Sequence, residues 1–293
     1  MATIIDGKII AEDIRREVKE EAAKLKAATG IVPGLAVILV GENPASESYV
    51  RSKGKACTEA GFYSLTERMP SDSTEDAVLK KVAEFNADPK IHGILVQLPL
   101  PKQINEQKVI EAIDPKKDVD GFHPMTIGKL VIGLDTFKSA TPAGIQEMLM
   151  RSGNDPAGKH VVVVGRSNIV GKPIANILLQ KQAGANAIVT VAHTGASDLT
   201  KFTKQADILI AAIGKPEAIR GEMLKEGVVV IDVGINRVED ATRPKGYRIV
   251  GDVHFESASK VASAITPVPG GVGLMTVAML LKNTLKAAKQ SVS

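Results

Sequence analysis

Tryptophan is absent from this 293-residue chain, cysteine occurs once, and aromatic residues make up only 3% of it. The single cysteine, Cys57, leaves no intrachain disulfide and no multi-cysteine metal site, which fits a reducing compartment. No apolar run reaches the ~20 residues that span a bilayer. The stretch MATIIDGKII also lacks the basic, apolar and small-residue order of a secretory signal. Nor is there a Lys/Arg tract: 37 basic and 33 acidic residues are interspersed and leave a net charge of +4. With so few aromatics, that pattern gives nucleic-acid binding little support. These absences together predict a cytoplasmic protein that binds neither membrane nor nucleic acid and holds no metal. The mild positive excess suits an anionic small substrate and a solvated surface equally well.

What remains is ordinary globular composition, 44% apolar and 24% charged, in a chain long enough for two domains. Near-continuous apolar runs occur at LAVILVG (35–41), GILVQLPL (93–100), HVVVVG (160–165), AIVTVA (187–192), ADILIAAIG (206–214) and VVVIDVG (228–234). Helix-like stretches such as EDAVLKKVAEFNAD (75–88) and VIEAID (109–114) lie between them. Alternation of this kind predicts an α/β protein whose parallel strands are covered on both faces. Ile10, Ile14, Val18 and Ala22 follow helical spacing up to Gly30. A second helix is predicted from Asn43 as N-cap, through Pro44 in its first turn, to Gly61 as C-cap. A domain break is expected at TFKSATPAGI. The segment ITPVPGGVGLMTVAMLLKNTLKAAKQ is a Pro/Gly loop followed by a long amphipathic helix that returns the chain to the first domain.

HVVVVGRSNIVGKPIANILL reads as strand, glycine turn and helix, an arrangement that points backbone N–H groups at a phosphate. The G-x-G-x-x-G fingerprint is not met, because Gly165 is followed by Ser167 and Val170 before Gly171. Taken alone, the turn is equally an ordinary strand-to-helix connection. The second strand of such a unit commonly ends in an acidic residue that holds the ribose diol; here it ends in His193-Thr194, while Arg166 stands in the turn. A missing carboxylate and a nearby cation favour the 2′-phosphate of NADP, although a solvated arginine would look the same.

SYVRSK places Tyr49 and Lys53 on one face of the second predicted helix. Tyr-x-x-x-Lys is the acid–base pair of short-chain dehydrogenases, but there it follows the glycine turn, whereas here it precedes it by more than a hundred residues. That assignment therefore fails. Three further stretches fall where strands end: VQLPLP (96–101) with Gln97, KDVDGFHP (117–124) with Asp118 and Asp120, and PVPGGVG (267–273). Each has a structural account of its own: a satisfied strand end, an Asx turn, glycines that cap a helix.

Taken in order, SYVRSK, VDGFHP, GRSNIVGKP, VIDVGIN, VGDV and ITPVPGGVG resemble the bifunctional methylenetetrahydrofolate dehydrogenase/methenyltetrahydrofolate cyclohydrolase family, from about Ile5 to the final helix. The resemblance implies two α/β domains with a folate cleft between them. Residues 1–140, joined by the helix at 272–293, would form the folate-binding domain, and 141–271 a Rossmann-like NADP-binding domain. It implies that Tyr49, Lys53, Gln97 and Asp120 are catalytic and, with Leu98, Pro99, Pro269, Gly270 and Gly271, line the folate site. Gly165, Arg166, Ser167, Thr194 and Ile235 would contact NADP. It also implies a homodimer, a folate substrate that extends to polyglutamylated forms, and a place in one-carbon metabolism that feeds purine biosynthesis. Three departures stand out: Leu274 replaces a common proline, Ser139-Ala140 a common Pro-Cys, and Thr194 a frequent serine.

The implied chemistry suits these residues. Hydride loss from the one-carbon bridge leaves a cation stabilised by two flanking nitrogens, so alignment suffices. Hydrolysis of that cation moves protons and needs an acid–base group, for which Lys53 is the candidate, with Gln97 holding its amine. A monofunctional NAD(P)-dependent dehydrogenase or a non-catalytic folate-binding protein would share the same fold.

Overall fold

The runs of valine, isoleucine and leucine become strands, and the amphipathic stretches between them become helices, in a computed structural model that describes residues 2–243 and 246–292. Numbered along the chain, the first elements are β1 (Thr3–Ile4), α1 (Gly7–Thr29), β2 (Gly34–Val40), α2 (Pro44–Glu59) and β3 (Tyr63–Met69). Next come α3 (Glu75–Ala87), β4 (Gly93–Val96), α4 (Glu106–Ala112), α5 (Pro124–Val131) and α6 (Ala140–Arg151). A strand-and-helix alternation follows with β5 (His160–Val164), α7 (Gly171–Leu179), β6 (Ile188–Ala192), α8 (Thr200–Thr203), β7 (Ile208–Ala211) and β8 (Val229–Asp232). The chain closes with β9 (Asn236–Glu239), β10 (Tyr247–Val250), α9 (Phe255–Ala258), β11 (Ala264–Ile265) and α10 (Met275–Gln290).

Two compact units result: Met1–Ala11 with Thr141–Thr276, and Glu12–Ala140 with Val277–Ser293. The sequence reading assigns the first residues to the folate domain, and the structure differs there. Thr3 and Ile4 pair in parallel with Ala264 and Ile265, so β1 is an edge strand of the other unit's sheet. Two residues carry too little periodicity to announce a strand, and the distant partner β11 decides the matter. The outermost residues of the expected boundaries, 1 and 293, lie outside the described residues.

In the unit made mostly of residues 12–140, a parallel three-stranded sheet runs in the order β3-β2-β4. Central β2 is buried at every position, as its unbroken apolar run requires. Ile38, Val40, Ile94 and Val96 pack with Val78, Val82 and Phe85 of α3. The sequence reading places no strand at 63–69; β3 mixes exposed and half-buried residues because it is an edge. It also extends the strand at 93 through to 100, whereas β4 stops at Val96. Pro99 and Pro101 have no N–H to continue a ladder.

The other unit holds a six-stranded parallel sheet in the order β1-β11-β8-β7-β5-β6. The chain runs from β5 outward to β6, then returns to the far side of β5 as β7. That reversal makes the carboxyl end of β5 a topological switch point. Val162, Val164, Leu209, Ala211, Val230 and Ile265 form its core. A β9–β10 hairpin stands apart from this sheet.

Asn283 of α10 donates from one amide nitrogen to the carbonyls of Val119 and Lys138, each at 2.8 Å. It thereby joins two loops far from it in sequence. Asn283→Leu keeps the side-chain volume and leaves two carbonyls without their donor. The variant is expected to lose about 1–3 kcal/mol in urea unfolding. A loss below about 0.5 kcal/mol would mean that water serves both carbonyls as well as the amide does.

Candidate active site

Asn43 opens α2 as expected: its Oδ1 accepts from Ser46 N at 3.2 Å. The helix then presents Tyr49 and, one turn on, Lys53. Tyr49 is 49% exposed and Lys53 only 8%. The Lys53 amine donates to Gln97 Oε1 at 2.9 Å. Gln97 is the first residue beyond β4; its backbone N–H donates to Ile38 O at 2.9 Å and its amide nitrogen to Leu98 O at 2.8 Å. Both ends of the glutamine are thus engaged, and its oxygen is aimed at the amine. The Leu98–Pro99 peptide is cis, and Leu100 N donates to Glu106 Oε1 at 3.0 Å.

Burial holds the Lys53 ammonium below the usual lysine range, while the charge of Asp120 pulls it back up. Asp120 is half-buried as a residue, with its carboxyl enclosed. Burial pushes it up to about 6, with Lys53 pulling down and Asp118 adding to the rise. The base is therefore easier to deprotonate and the acid easier to protonate than either would be in water. Two groups displaced toward neutrality are what proton movement near pH 7 requires.

The loop that carries Asp120 is shaped by Asp118, which the sequence reading credits only with a possible turn. Asp118 is buried; its Oδ1 accepts from Gly121 N at 3.2 Å and Phe122 N at 3.3 Å, and its Oδ2 from His123 N at 2.9 Å. Gly121 has φ +75°, and a Cβ there would meet the Ser139 backbone at 2.7 Å. Ser139 Oγ in turn donates to Gly121 O at 3.1 Å. One of the noted departures thus has a definite task in this loop. Asn283 secures the same loop at Val119, beside Asp120. Its signal was present in the sequence as an asparagine on the apolar face of the last helix.

The second cluster sits at the switch point. Gly165, at φ +140°, follows β5, and a Cβ on it would collide with Ala212 O just past β7. A Cβ on Gly171 would strike Gly165 O, so the turn is a cradle lined by bare backbone. Ser167 Oγ accepts from Val170 N at 3.1 Å and from Gly171 N at 3.3 Å. Val170 gives α7 no side-chain cap. Arg166 and Ser167 are exposed at the turn, and Thr194 is exposed two residues beyond β6. Ile235, 54% exposed, follows β8, and a Cβ on Gly273 would approach its Cδ1 to 3.1 Å. A glycine-lined cradle between a strand end and a helix start, with an adjacent arginine, fits a phosphate-bearing nucleotide.

Pro269, Gly270 and Gly271 belong to the same unit as this turn. The Val268–Pro269 peptide is cis and Gly270 has φ +113°. Gly7 N donates to Gly270 O at 3.0 Å, and a Cβ on Gly7 would strike Gly271 O. The surface that this glycine loop approaches so closely is the start of α1. The structure therefore gathers Lys53, Gln97 and Asp120 at one place, with Tyr49 a turn away. It gathers Gly165, Arg166 and Ser167 at another.

Residues 5–120 match the catalytic domain of the tetrahydrofolate dehydrogenase/cyclohydrolase family, and residues 139–292 match its NAD(P)-binding domain. The chain is 60% identical over 290 residues to the bifunctional protein FolD of Syntrophus aciditrophicus, covering 99% of this chain and 98% of that protein. The crystal structure of the bifunctional FolD enzyme of Campylobacter jejuni superposes with a TM-score of 0.93 at 48% identity, over 99% of this chain and 100% of that one. The Trypanosoma brucei enzyme, solved with NADP cofactor and an inhibitor, matches with a TM-score of 0.93 at 41% identity, over 99% and 98%.

Because the folded Asp120 titrates at about 6, above an ordinary aspartate, the native state retains a proton that the unfolded chain has lost. The stability gained is complete below pH ~4 and is lost as pH rises through about 6. Asp120→Asn removes that loss. Its stability relative to wild type should increase between about pH 4 and pH 7.5 by on the order of 1–3 kcal/mol, read from melts across the window. A relative stability that stays flat would show that the Asp120 carboxyl titrates as it does in water.

Proposed function

This chain belongs to the tetrahydrofolate dehydrogenase/cyclohydrolase family, and from that premise we propose how its residues divide two consecutive reactions. The protein oxidises 5,10-methylenetetrahydrofolate to 5,10-methenyltetrahydrofolate with NADP, then hydrolyses the product to 10-formyltetrahydrofolate. When bound, NADP supplies the hydride acceptor for the first reaction.

The first reaction asks the protein chiefly for alignment, since the folate's own nitrogens stabilise the cation that forms. Asp120 accepts from the ring N–H groups of the folate, and Tyr49 packs along it. Leu98, Pro99, Pro269, Gly270 and Gly271 border the same substrate. Gly165, Ser167, Thr194 and Ile235 contact the cofactor, and Arg166 meets its 2′-phosphate. The second reaction needs a proton carrier. Water adds to the methenyl carbon and loses a proton, then one C–N bond breaks as its nitrogen is protonated. Lys53 takes and returns that proton, and Gln97 orients its amine.

The observation that carries this reading is the buried Lys53 amine, held on Gln97 Oε1 and within the field of Asp120. An amine in that setting has a use in hydrolysis that neither a monofunctional dehydrogenase nor a folate-binding protein would require. The proposal extends to polyglutamylated folate as substrate, a homodimer, a cytoplasmic location and a supply of one-carbon units for purine biosynthesis. No helix among the described residues is long and apolar enough to cross a membrane.

Arg166→Ala removes a charge-assisted contact and should weaken NADP binding by about ten- to a hundred-and-fifty-fold, corresponding to ~1.5–3 kcal/mol. Equal NADP affinity in the two proteins would take Arg166 out of the cofactor site. Lys53→Met retains the apolar stem and removes the amine. Methenyl hydrolysis should then fall by ~10²–10⁴-fold while the dehydrogenase keeps a measurable rate, so that methenyltetrahydrofolate accumulates in an absorbance assay. Undiminished hydrolysis in a folded Lys53→Met protein would reduce Lys53 to a packing role.

A further inference from the structure

Two aspartates outside the site just described, Asp232 and Asp252, lie buried one behind the other at the carboxyl end of the six-stranded sheet. We propose that Asp252 is a positioning residue for the NADP site, with Asp232 fixing Asp252 in turn; this rests on the cofactor reading above. Asp252 Oδ2 accepts from Ile213 N at 2.6 Å and Gly214 N at 2.9 Å, and its Oδ1 from Lys215 N at 3.0 Å and Asn236 Nδ2 at 2.9 Å. Three consecutive backbone N–H groups in the loop after β7 thus close on one carboxylate, together with the side chain that follows Ile235.

The loop so held begins at Ala212, whose carbonyl lies against Gly165 in the cofactor turn. On the other side, Asp252 governs both neighbours of Ile235. Asn236 donates to it, and Gly234 passes so near that a Cβ would fall on Asp252 Oδ1 and N. One carboxylate therefore sets the backbone on both sides of Ile235 and the loop that abuts Gly165.

Asp252 is itself anchored. Asp232 Oδ1 accepts from Asp252 N at 2.9 Å and Gly234 N at 3.0 Å, and its Oδ2 from Val253 N at 2.9 Å. A Cβ on Gly251 would fall on Asp232 Oδ2, so that glycine is required by close approach alone. Burial pushes Asp232 up to about 7 against the pull of those three donors, with the charge of Asp252 adding to the rise. The β9–β10 hairpin returns the chain to this point through the pairing of Val250 with Asn236. Ile219 N also donates to Asp252 O at 3.0 Å. The Lys53 cluster belongs to the other unit.

The test compares wild type with Asp252→Ala in three measurements: NADP affinity by fluorescence titration, dehydrogenase kinetics, and hydrolysis of added methenyltetrahydrofolate without NADP. Asp252→Ala should weaken NADP binding and raise its KM by about ten- to a hundredfold, because four donors lose their common acceptor and the loops shift. Hydrolysis should stay within about twofold of wild type, a split that general destabilisation would not produce. Unchanged NADP affinity in a folded variant, or an equal loss of hydrolysis, overturns the proposal. If Asp252→Ala does not fold, Asn236→Ala decides, since it removes one donor of the four. A loss of NADP affinity of about threefold or more supports the proposal, and an unchanged affinity overturns it. Failure of wild type itself to bind NADP would instead refute the cofactor reading.

Discussion

Backbone N–H groups that converge on a buried carboxylate hold the loops on which both candidate clusters depend. Asp118 collects three such donors and sets the loop that carries Asp120. Asp252 collects three from the loop after β7, and Asp232 three more from the segments around it. Loops at strand ends have no ladder to fix them, and a carboxylate with convergent donors serves as a local substitute. The cost is desolvation of an anion, which convergent donors reduce. Where the set is full, the loop has one low-energy geometry.

The Lys53–Gln97–Asp120 cluster uses the same low-polarity setting for the opposite purpose. There the charged groups are incompletely compensated, and their proton affinities move toward neutrality. Asp252, with four donors on its two oxygens, is held in one position, whereas burial pushes Asp120 up and leaves it facing the charge of Lys53. Burial pushes Asp232 up as well, to about 7; the difference is in what lies opposite, because Asp120 faces the charge of Lys53 and Asp232 is met by three backbone N–H groups. Sites of this kind are among the places where a protein gives up stability for activity.

Most of the architecture was legible because long β-branched runs and helix signals agree with the tertiary contacts they meet. β2 and β5 are buried on both faces, and their sequences say so; Asn43 and Pro44 announce α2. What the sequence conceals depends on distant partners. β1 is two residues long and exists as a strand because β11 accepts it. β3 is an edge strand whose mixed polar and apolar residues a search for continuous apolar runs passes over. Lys53, Gln97 and Asp120 could be picked out by resemblance, whereas their mutual geometry required the fold. Asp118, Ser139, Asn283 and Asp252 are common residue types whose significance is wholly in what they touch.

The bond from Asn283 to Val119 has a consequence for the life of the polypeptide. During translation the loop bearing Asp120 is made well over a hundred residues before the amide that secures it. A nascent chain that has already folded its three-stranded sheet therefore still lacks the fastening of its acidic loop. A chain interrupted before Asn283 lacks the two hydrogen bonds that tie Val119 and Lys138 to α10.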